Sequence, residues 1–172
     1  MNDNNNMKYA KRNRNEIKIN WPQTPLNIIL VNPMIPPNTG NIARLCAATG
    51  SVLHLIKPLG FDISDKQLRR AGLDYWKAVD INIHENYYDY DIKYLNAKKY
   101  FFSTSGKIDH ATIRYQQGDH LVFGNEPYGL SDEIINENID CCCNIPIKLD
   151  AVRSLNLSNA VSIALYTALR NI

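Results

Sequence analysis

The 172-residue sequence lacks the features of a membrane-embedded or exported protein. It has no uninterrupted apolar stretch near the roughly 18 residues that a membrane helix requires, and residues 1–20 contain no apolar signal-peptide core. Hydrophobic residues make up 45% and charged residues 21% of the chain, which is typical of a globular protein rather than a disordered one. We therefore expect one globular domain, located in the cytoplasm.

Cysteine is scarce, and its spacing does not suit a metal site. The four cysteines are Cys46 and the run Cys141–Cys143. Adjacent cysteines point to opposite faces of a strand and cannot supply the C-x-x-C spacing of a zinc site. We expect free, buried or half-buried thiols and no bound metal. His54 falls in the middle of a predicted strand, so we expect it to pack rather than to act in catalysis. No ligand spacing relates the four histidines: His54, His84, His110 and His120.

The common nucleotide-binding motifs are also missing. The sequence contains no G-x-x-x-x-G-K-[ST], and no G-x-G-x-x-G follows its first predicted strand. An ordinary Rossmann methyltransferase or dehydrogenase is therefore disfavoured. No Ser, His and Asp set occurs at a nucleophile elbow either, so any ligand site must be built from other residues.

The small basic excess comes from the N-terminus. Residues 1–25 contain five lysines and arginines against two acidic residues, a net charge of +3, whereas the whole chain carries +2. Residues 26–172 therefore carry −1. We interpret residues 1–25 as a polar, flexible leader, with an RNA-contacting tail or a transit peptide as alternatives. Residues 26–172 form the predicted single domain, on which any nucleic-acid surface must be a local patch.

The hydrophobic pattern predicts an α/β fold whose mostly parallel sheet is flanked by helices, because strands and helices alternate. The predicted strands are Leu26–Val31, Ser51–Ile56, Val79–Ile83, Lys99–Thr104, His120–Phe123 and Cys141–Ile147. Between them, a rigid loop over Asn32–Asn41 is expected to lead into a helix from Ile42 that Gly50 ends. The other predicted helices open at Ser64, cover residues 86–95, follow a Ser131 cap and span Leu155–Arg170.

Polar side chains collect in four segments that would meet beyond the carboxyl ends of the strands, where open α/β sheets bind ligands. In the segment Lys66–Trp76, the side chains of Lys66, Arg69 and Arg70 share one helix face beside aromatic residues, which suits RNA phosphates and bases. A solvated basic face is the alternative interpretation. The segment Arg153–Ser162, at the start of the last predicted helix, has more polar residues than a helix cap requires. The four segments are Asn38–Arg44, Lys66–Trp76, Phe123–Leu130 and Arg153–Ser162.

Together these segments resemble the SPOUT-class RNA 2′-O-ribose methyltransferases, especially the short tRNA enzymes that act on the wobble cytidine or uridine. N-T-G-N-I-x-R, D-K-x-L-R-R-A-G-L-D-Y, F-G-x-E-x-x-G-L and R-S-L-N-L-S-N-A-V-S occur in that order, and the resemblance runs from Leu26 to Arg170. It implies an α/β fold with a C-terminal trefoil knot and a homodimer. It also implies S-adenosylmethionine as methyl donor without a metal, and the tRNA anticodon stem-loop as substrate.

The resemblance also implies roles for individual residues. The implied cofactor-binding positions are Phe102, Gly124, Ile145, Ser154 and Leu155. The implied catalytic residues are Arg44, Glu126, Asn159 and Tyr166. The expected RNA-binding residues are Asn41, Lys66, Arg69, Arg70, Tyr128 and Arg153. One position departs from the usual E-T-R-G-L of the family, because Tyr128 replaces the arginine. Tyrosine carries no charge, but it can stack on a base.

Two other functions stay open at the level of the sequence. A 2′-O-methyltransferase for ribosomal RNA or for another tRNA position belongs to the same class. An RNA-binding module that has lost catalysis belongs to a different class, and the replacement of the usual arginine by Tyr128 is the feature that favours it. Arg44, Glu126, Ser154 and Asn159 are all present and argue against that loss.

Overall fold

The computed structural model describes residues 19–62, 78–148 and 150–172. The helix predicted to open at Ser64, together with Lys66, Arg69 and Arg70, lies outside these residues. Within the described part of the chain, no helix is long and apolar enough to cross a membrane.

The sheet contains seven strands, and every described pair is parallel, which confirms the predicted architecture. The strand order is β3-β2-β1-β6-β4-β7-β5. β6 has the predicted bounds, whereas the last predicted strand is shorter than expected and β5 was not predicted. The strands are β1 (Asn27–Val31), β2 (Val52–Ile56), β3 (Ile81–His84), β4 (Lys99–Phe102), β5 (Ile108–Asp109), β6 (His120–Phe123) and β7 (Cys142–Asn144).

Helices cover both faces of this sheet. Residues along β1 alternate between the two faces, so Ile28 and Leu30 pack on one side and Ile29 and Val31 on the other. The first side carries α1 (Pro36–Thr49) and α4 (Leu157–Arg170), which contact each other, and the second carries α2 (Tyr87–Lys93) and α3 (Asp132–Glu137). The predicted Ser131 cap of α3 is confirmed, because its side chain accepts a hydrogen bond from the backbone N–H of Ile134.

The start of α1 differs from the sequence prediction. The helix begins at Pro36 rather than at Ile42, so Asn38–Asn41 is helical and not part of a rigid loop. Proline suits the first turn of a helix, because its missing N–H would have no partner there. The predicted end at Gly50 is confirmed, and this glycine adopts the left-handed conformation with φ of 69°.

Three histidines meet between the sheet and α2. The ring nitrogens His54 Nδ1 and His84 Nε2 lie 3.0 Å apart, and His54 Nε2 lies 3.0 Å from Asn27 Oδ1. His120 Nδ1 pairs with the hydroxyl of Tyr90 at 2.5 Å. All three rings are buried, so His54 packs as expected. The sequence did not show this cluster, because its members come from three strands that only the fold brings together.

Burial makes these histidines difficult to protonate. Desolvation lowers the pKa of His54 to about 3 and that of His120 to about 4, and it also lowers the pKa of His84. Neighbouring histidines and Lys93 lower the His54 pKa further. The folded protein therefore keeps this cluster neutral at pH values where the unfolded chain already binds protons.

We predict that this cluster makes stability depend on pH below about 6.5, the ordinary histidine pKa. The unfolded chain binds protons first as pH falls, so the free energy of unfolding should drop by about 1.4 kcal/mol per pH unit for each of His54 and His120, whose pKa values lie far below the ordinary one. Urea unfolding at fixed protein concentration between pH 7.5 and 5 measures this slope. The double variant His54→Gln/His84→Gln should have a shallower slope. Equal slopes for the two proteins would contradict the prediction.

Candidate active site

A cavity of about 420 Å³ lies beyond the carboxyl ends of β4, β6 and β7. Its size suits a small organic ligand, and its position is where open parallel sheets bind ligands. The fold therefore brings together the five positions for which the sequence implied cofactor contacts. All five line this one cavity: Phe102, Gly124, Ile145, Ser154 and Leu155.

One wall of the cavity is a tight turn that follows β6. The N–H of Asn125 donates to the carbonyl of Gly129 at 3.2 Å, and the N–H of Gly129 donates back to Asn125 at 2.9 Å. Gly129 has a φ of 74°, which favours glycine. A Cβ on Gly124 would lie 1.9 Å from the carbonyl carbon of Gly129, so only glycine fits at the base of this turn.

A second wall comes from the loop that follows β4. Its backbone is held against β7, because the N–H of Ser103 donates to the carbonyl of Cys143 and the Asn144 amide donates to the carbonyl of Thr104, both at 3.0 Å. At the base of the cavity, Phe102 stacks on Phe123 with ring centroids 4.6 Å apart. The cavity thus combines an aromatic floor with walls of fixed backbone.

Glu126, at the cavity wall, closes the amino end of α1 from a distant part of the chain. Its carboxylate accepts hydrogen bonds from the N–H of Met34 at 2.9 Å, from the N–H of Ile35 at 3.1 Å and from the Asn38 amide at 2.9 Å. The helix has no side-chain cap of its own, since Ile35 occupies the cap position, and it has no acidic residue in its first turn. The two N–H groups precede the first helical residue, Pro36, so the carboxylate anchors the chain as it enters α1, and its negative charge complements the helix dipole.

Asn38 extends this contact to α4. Its side-chain oxygen accepts a hydrogen bond from the Asn156 amide at 3.0 Å. Asn156 caps α4, where its own oxygen accepts from the backbone N–H of Ser158 at 3.0 Å and from the Ser158 hydroxyl at 2.7 Å. Glu126, Asn38 and Asn156 therefore link three separate sequence segments. Throughout, we call these three residues the polar link.

The sequence analysis assigned no role to Asn38 or Asn156, although both lie in the quoted motifs. The excess of polar residues at the start of α4 was the signal that could have found Asn156. Asn38 carried no such signal, because it was expected in a loop. Its burial within α1 and its two side-chain partners become evident only in the fold.

The other predicted site residues that the structure describes, apart from Glu126, are exposed. Arg44 and Asn41 are exposed on one face of α1, and neither is among the described residues that line the cavity. Arg153 is exposed at the cavity rim, and Tyr128 is 84% exposed. On α4, an exposed stripe contains the remaining two predicted catalytic residues and one apolar side chain: Asn159, Tyr166 and Ile163.

The thiols are as the sequence predicted, since all four cysteines are free. Cys46, Cys142 and Cys143 are buried, and Cys141 is half-buried. Burial raises the pKa of the Cys46 and Cys143 thiols to about 12, so both are protonated at neutral pH. Across the described ranges, no group of three His, Cys, Asp or Glu side chains is arranged to hold a metal ion.

Residues 25–166 match the SpoU rRNA Methylase family. The chain belongs to this family. A tRNA (cytidine(34)-2′-O)-methyltransferase from Yersinia pestis is 48% identical to it over an alignment of 153 residues that covers 86% of this chain and 94% of that protein. The family relationship therefore extends over nearly the whole domain, including all the segments that build the cavity.

Two solved structures are similar to this SpoU family protein. One, from work on the 2-OH methylation of C/U34 on tRNA, superposes with a TM-score of 0.82 at 41% identity and covers 86% of this chain and 96% of that chain. The other is an AdoMet-bound rRNA methyltransferase from Sinorhizobium meliloti, with a TM-score of 0.75 at 28% identity over 88% of this chain and 58% of that one.

We predict that Gly124→Ala disrupts the cavity of this SpoU family protein. The added Cβ collides with backbone and not with a flexible side chain, so the turn must open. Binding of S-adenosylhomocysteine, measured by calorimetry, should weaken at least tenfold.

Gly50→Ala is the matched control for this variant. It strains a left-handed glycine but meets no atom within 4 Å, so it should cost about 1 kcal/mol of stability and leave ligand binding intact. Equal ligand affinity in the Gly124→Ala and Gly50→Ala proteins would show that the turn does not shape the cavity.

Proposed function

We propose that this protein transfers a methyl group from S-adenosylmethionine to the ribose 2′-hydroxyl of the cytidine or uridine at wobble position 34 of tRNA. The observation that carries this proposal is the single cavity that gathers all five implied cofactor positions. Glu126 joins that cavity to the helix that carries Arg44. The activities named for the related proteins support the choice of substrate.

The cavity residues suit S-adenosylmethionine. Phe102, Ile145 and Leu155 offer apolar surface for an adenosine, and the fixed backbone beside Gly124 and Ser103 offers hydrogen-bonding groups. The cavity is also lined by the acidic side chains of Glu126 and Asp132 and by the basic side chain of Arg153. Side chains of both charges suit a ligand with an ammonium and a carboxylate group. When bound, this cofactor supplies a methyl group that its sulfonium charge already activates, so the chemistry requires no metal.

The protein must then orient the 2′-hydroxyl and favour the loss of its proton. We assign this task to Arg44. A guanidinium is too basic to act as an ordinary base, but it can position the hydroxyl and the target phosphate and stabilise the negative charge that develops on oxygen. Glu126 has both carboxylate oxygens engaged by the start of α1, so its part in the reaction is to position that helix. We also assign Asn159 and Tyr166, on the exposed face of α4, to the catalytic residues, as the family resemblance implies.

The RNA would approach over the exposed face around the cavity. We assign this contact to Asn41, Tyr128 and Arg153, which are all exposed. We add Lys66, Arg69 and Arg70 from the basic segment as phosphate contacts. The anticodon stem-loop is the expected ligand, because position 34 lies within it.

We further propose that the protein acts in the cytoplasm as a homodimer. Residues 1–25 form a leader, and residues 26–172 form a single domain with a C-terminal trefoil knot. The exposed apolar side chains of Ile163, at 40%, and Tyr166, at 45%, support a dimer contact through α4. Sedimentation at micromolar concentration measures this directly, and a monomer would contradict it.

Incubation with labelled cofactor and total RNA from a strain that lacks this activity tests the proposed function. Mapping of the labelled nucleotide should locate the methyl group on the ribose of nucleotide 34 in a subset of tRNAs. Label in ribosomal RNA, or at another tRNA position, would replace this proposal with the first alternative function. RNA binding without any label would favour the second.

Arg44→Ala should reduce methyl transfer at least a hundredfold, because positioning of the hydroxyl is lost, while the affinity for S-adenosylhomocysteine is retained. The matched control is Arg114→Ala, an exposed arginine outside the cavity lining, which should stay active. An active Arg44→Ala protein would end the assignment of Arg44.

A further inference from the structure

Tyr128 is a large aromatic side chain displayed at the mouth of the cavity. It lines the cavity and is nevertheless 84% exposed, the highest exposure among the large hydrophobic residues that the structure describes. An exposed aromatic ring at a binding site offers a flat surface for a ligand. The question is which part of an RNA substrate it would contact.

The backbone beneath Tyr128 is fixed. Its N–H donates to Asn125 Oδ1 at 2.8 Å, and Asn125 and Gly129 exchange two backbone hydrogen bonds across the turn. Two residues earlier, Glu126 is anchored to the start of α1. Because the turn is ordered in advance, a ligand that packs on the ring does not have to order the loop on binding.

Two exposed apolar residues are tied to the turn that carries the ring. Met34 is 45% exposed and Ile35 is 44% exposed, and both donate their backbone N–H to the carboxylate of Glu126, two residues before Tyr128. A phosphate is best bound by cations, and neither these side chains nor tyrosine carries a charge. A nucleobase fits this surface better, because every base has an apolar face that stacks on aromatic rings.

We propose that Tyr128 is a stacking platform for a nucleobase of the anticodon loop, and that it holds that base unstacked beside the cofactor cavity. The inference rests on the proposed function and specifies how one of its RNA-binding residues acts. Tyr128 therefore contributes affinity for RNA through stacking, in place of the charge that an arginine would supply at this position.

Steady-state methylation of an anticodon stem-loop tests this role. Tyr128→Ala should raise the KM for RNA roughly 5- to 100-fold, with the loss in KM rather than in kcat, and Tyr128→Phe should recover most of the affinity. Tyr128→Leu, which is apolar but has no ring, should resemble the alanine variant. The matched control is Tyr88→Ala, which removes a tyrosine that is 72% exposed on α2 and lies outside the cavity lining.

Salt dependence distinguishes stacking from a phosphate contact. Loss of a stacking residue leaves the slope of log KM against log salt unchanged, whereas loss of one phosphate contact reduces the magnitude of the slope by about one. 2-Aminopurine placed at successive loop positions should be quenched on binding at the stacked position, and Tyr128→Ala should restore its fluorescence. Variants should keep the wild-type affinity for S-adenosylhomocysteine.

The outcomes separate this inference from the proposed function. If the wild type methylates the stem-loop and Tyr128→Ala has the same KM, the inference is wrong and the function stands. Weaker cofactor binding in Tyr128→Ala would instead make this residue a cover for the cofactor and would also overturn the inference. If the wild type neither binds nor methylates tRNA, the proposed function itself fails.

Discussion

The cavity depends on one carboxylate. Glu126 accepts hydrogen bonds from two backbone N–H groups and one amide at the start of α1, where a helix normally needs a cap from its own sequence. Asn38 passes this contact to Asn156, which caps α4. Two helices and the turn after β6 are therefore ordered by one polar link. Without it, the turn after β6 and the starts of α1 and α4 would lose these hydrogen bonds to one another.

Local patterns predicted most of the fold, because most elements have local causes. His120 and three apolar residues between turns define β6, and Ser131 caps α3 through its own side chain. The contact that holds the start of α1 could not be predicted in this way, because it comes from Glu126, far away in the chain. The contact between Asn38 and Asn156 spans 118 residues, so no local pattern contains it. The histidine cluster is unpredictable for the same reason, since three strands contribute to it.

Charged side chains and an uncharged aromatic ring have different parts in the proposed RNA contact. The body of the chain carries a small net negative charge, so attraction over the whole surface cannot explain RNA binding, and local groups must supply it. Arg44 is an exposed cation on α1 and Arg153 is one at the cavity rim, while Tyr128 offers an uncharged ring on a fixed turn. The cofactor positions were implied by the family resemblance, and they meet in one cavity because their segments follow strands or precede a helix at the same edge of the sheet.

A double-mutant cycle on the free energy of unfolding tests the polar link most directly. Glu126→Gln and Asn156→Ala remove groups that do not contact each other but share Asn38. The account predicts a coupling energy above about 0.5 kcal/mol in the wild-type background and its loss in the Asn38→Ala background. Strictly additive effects in the wild-type background would contradict the account, because the three segments would then be held independently.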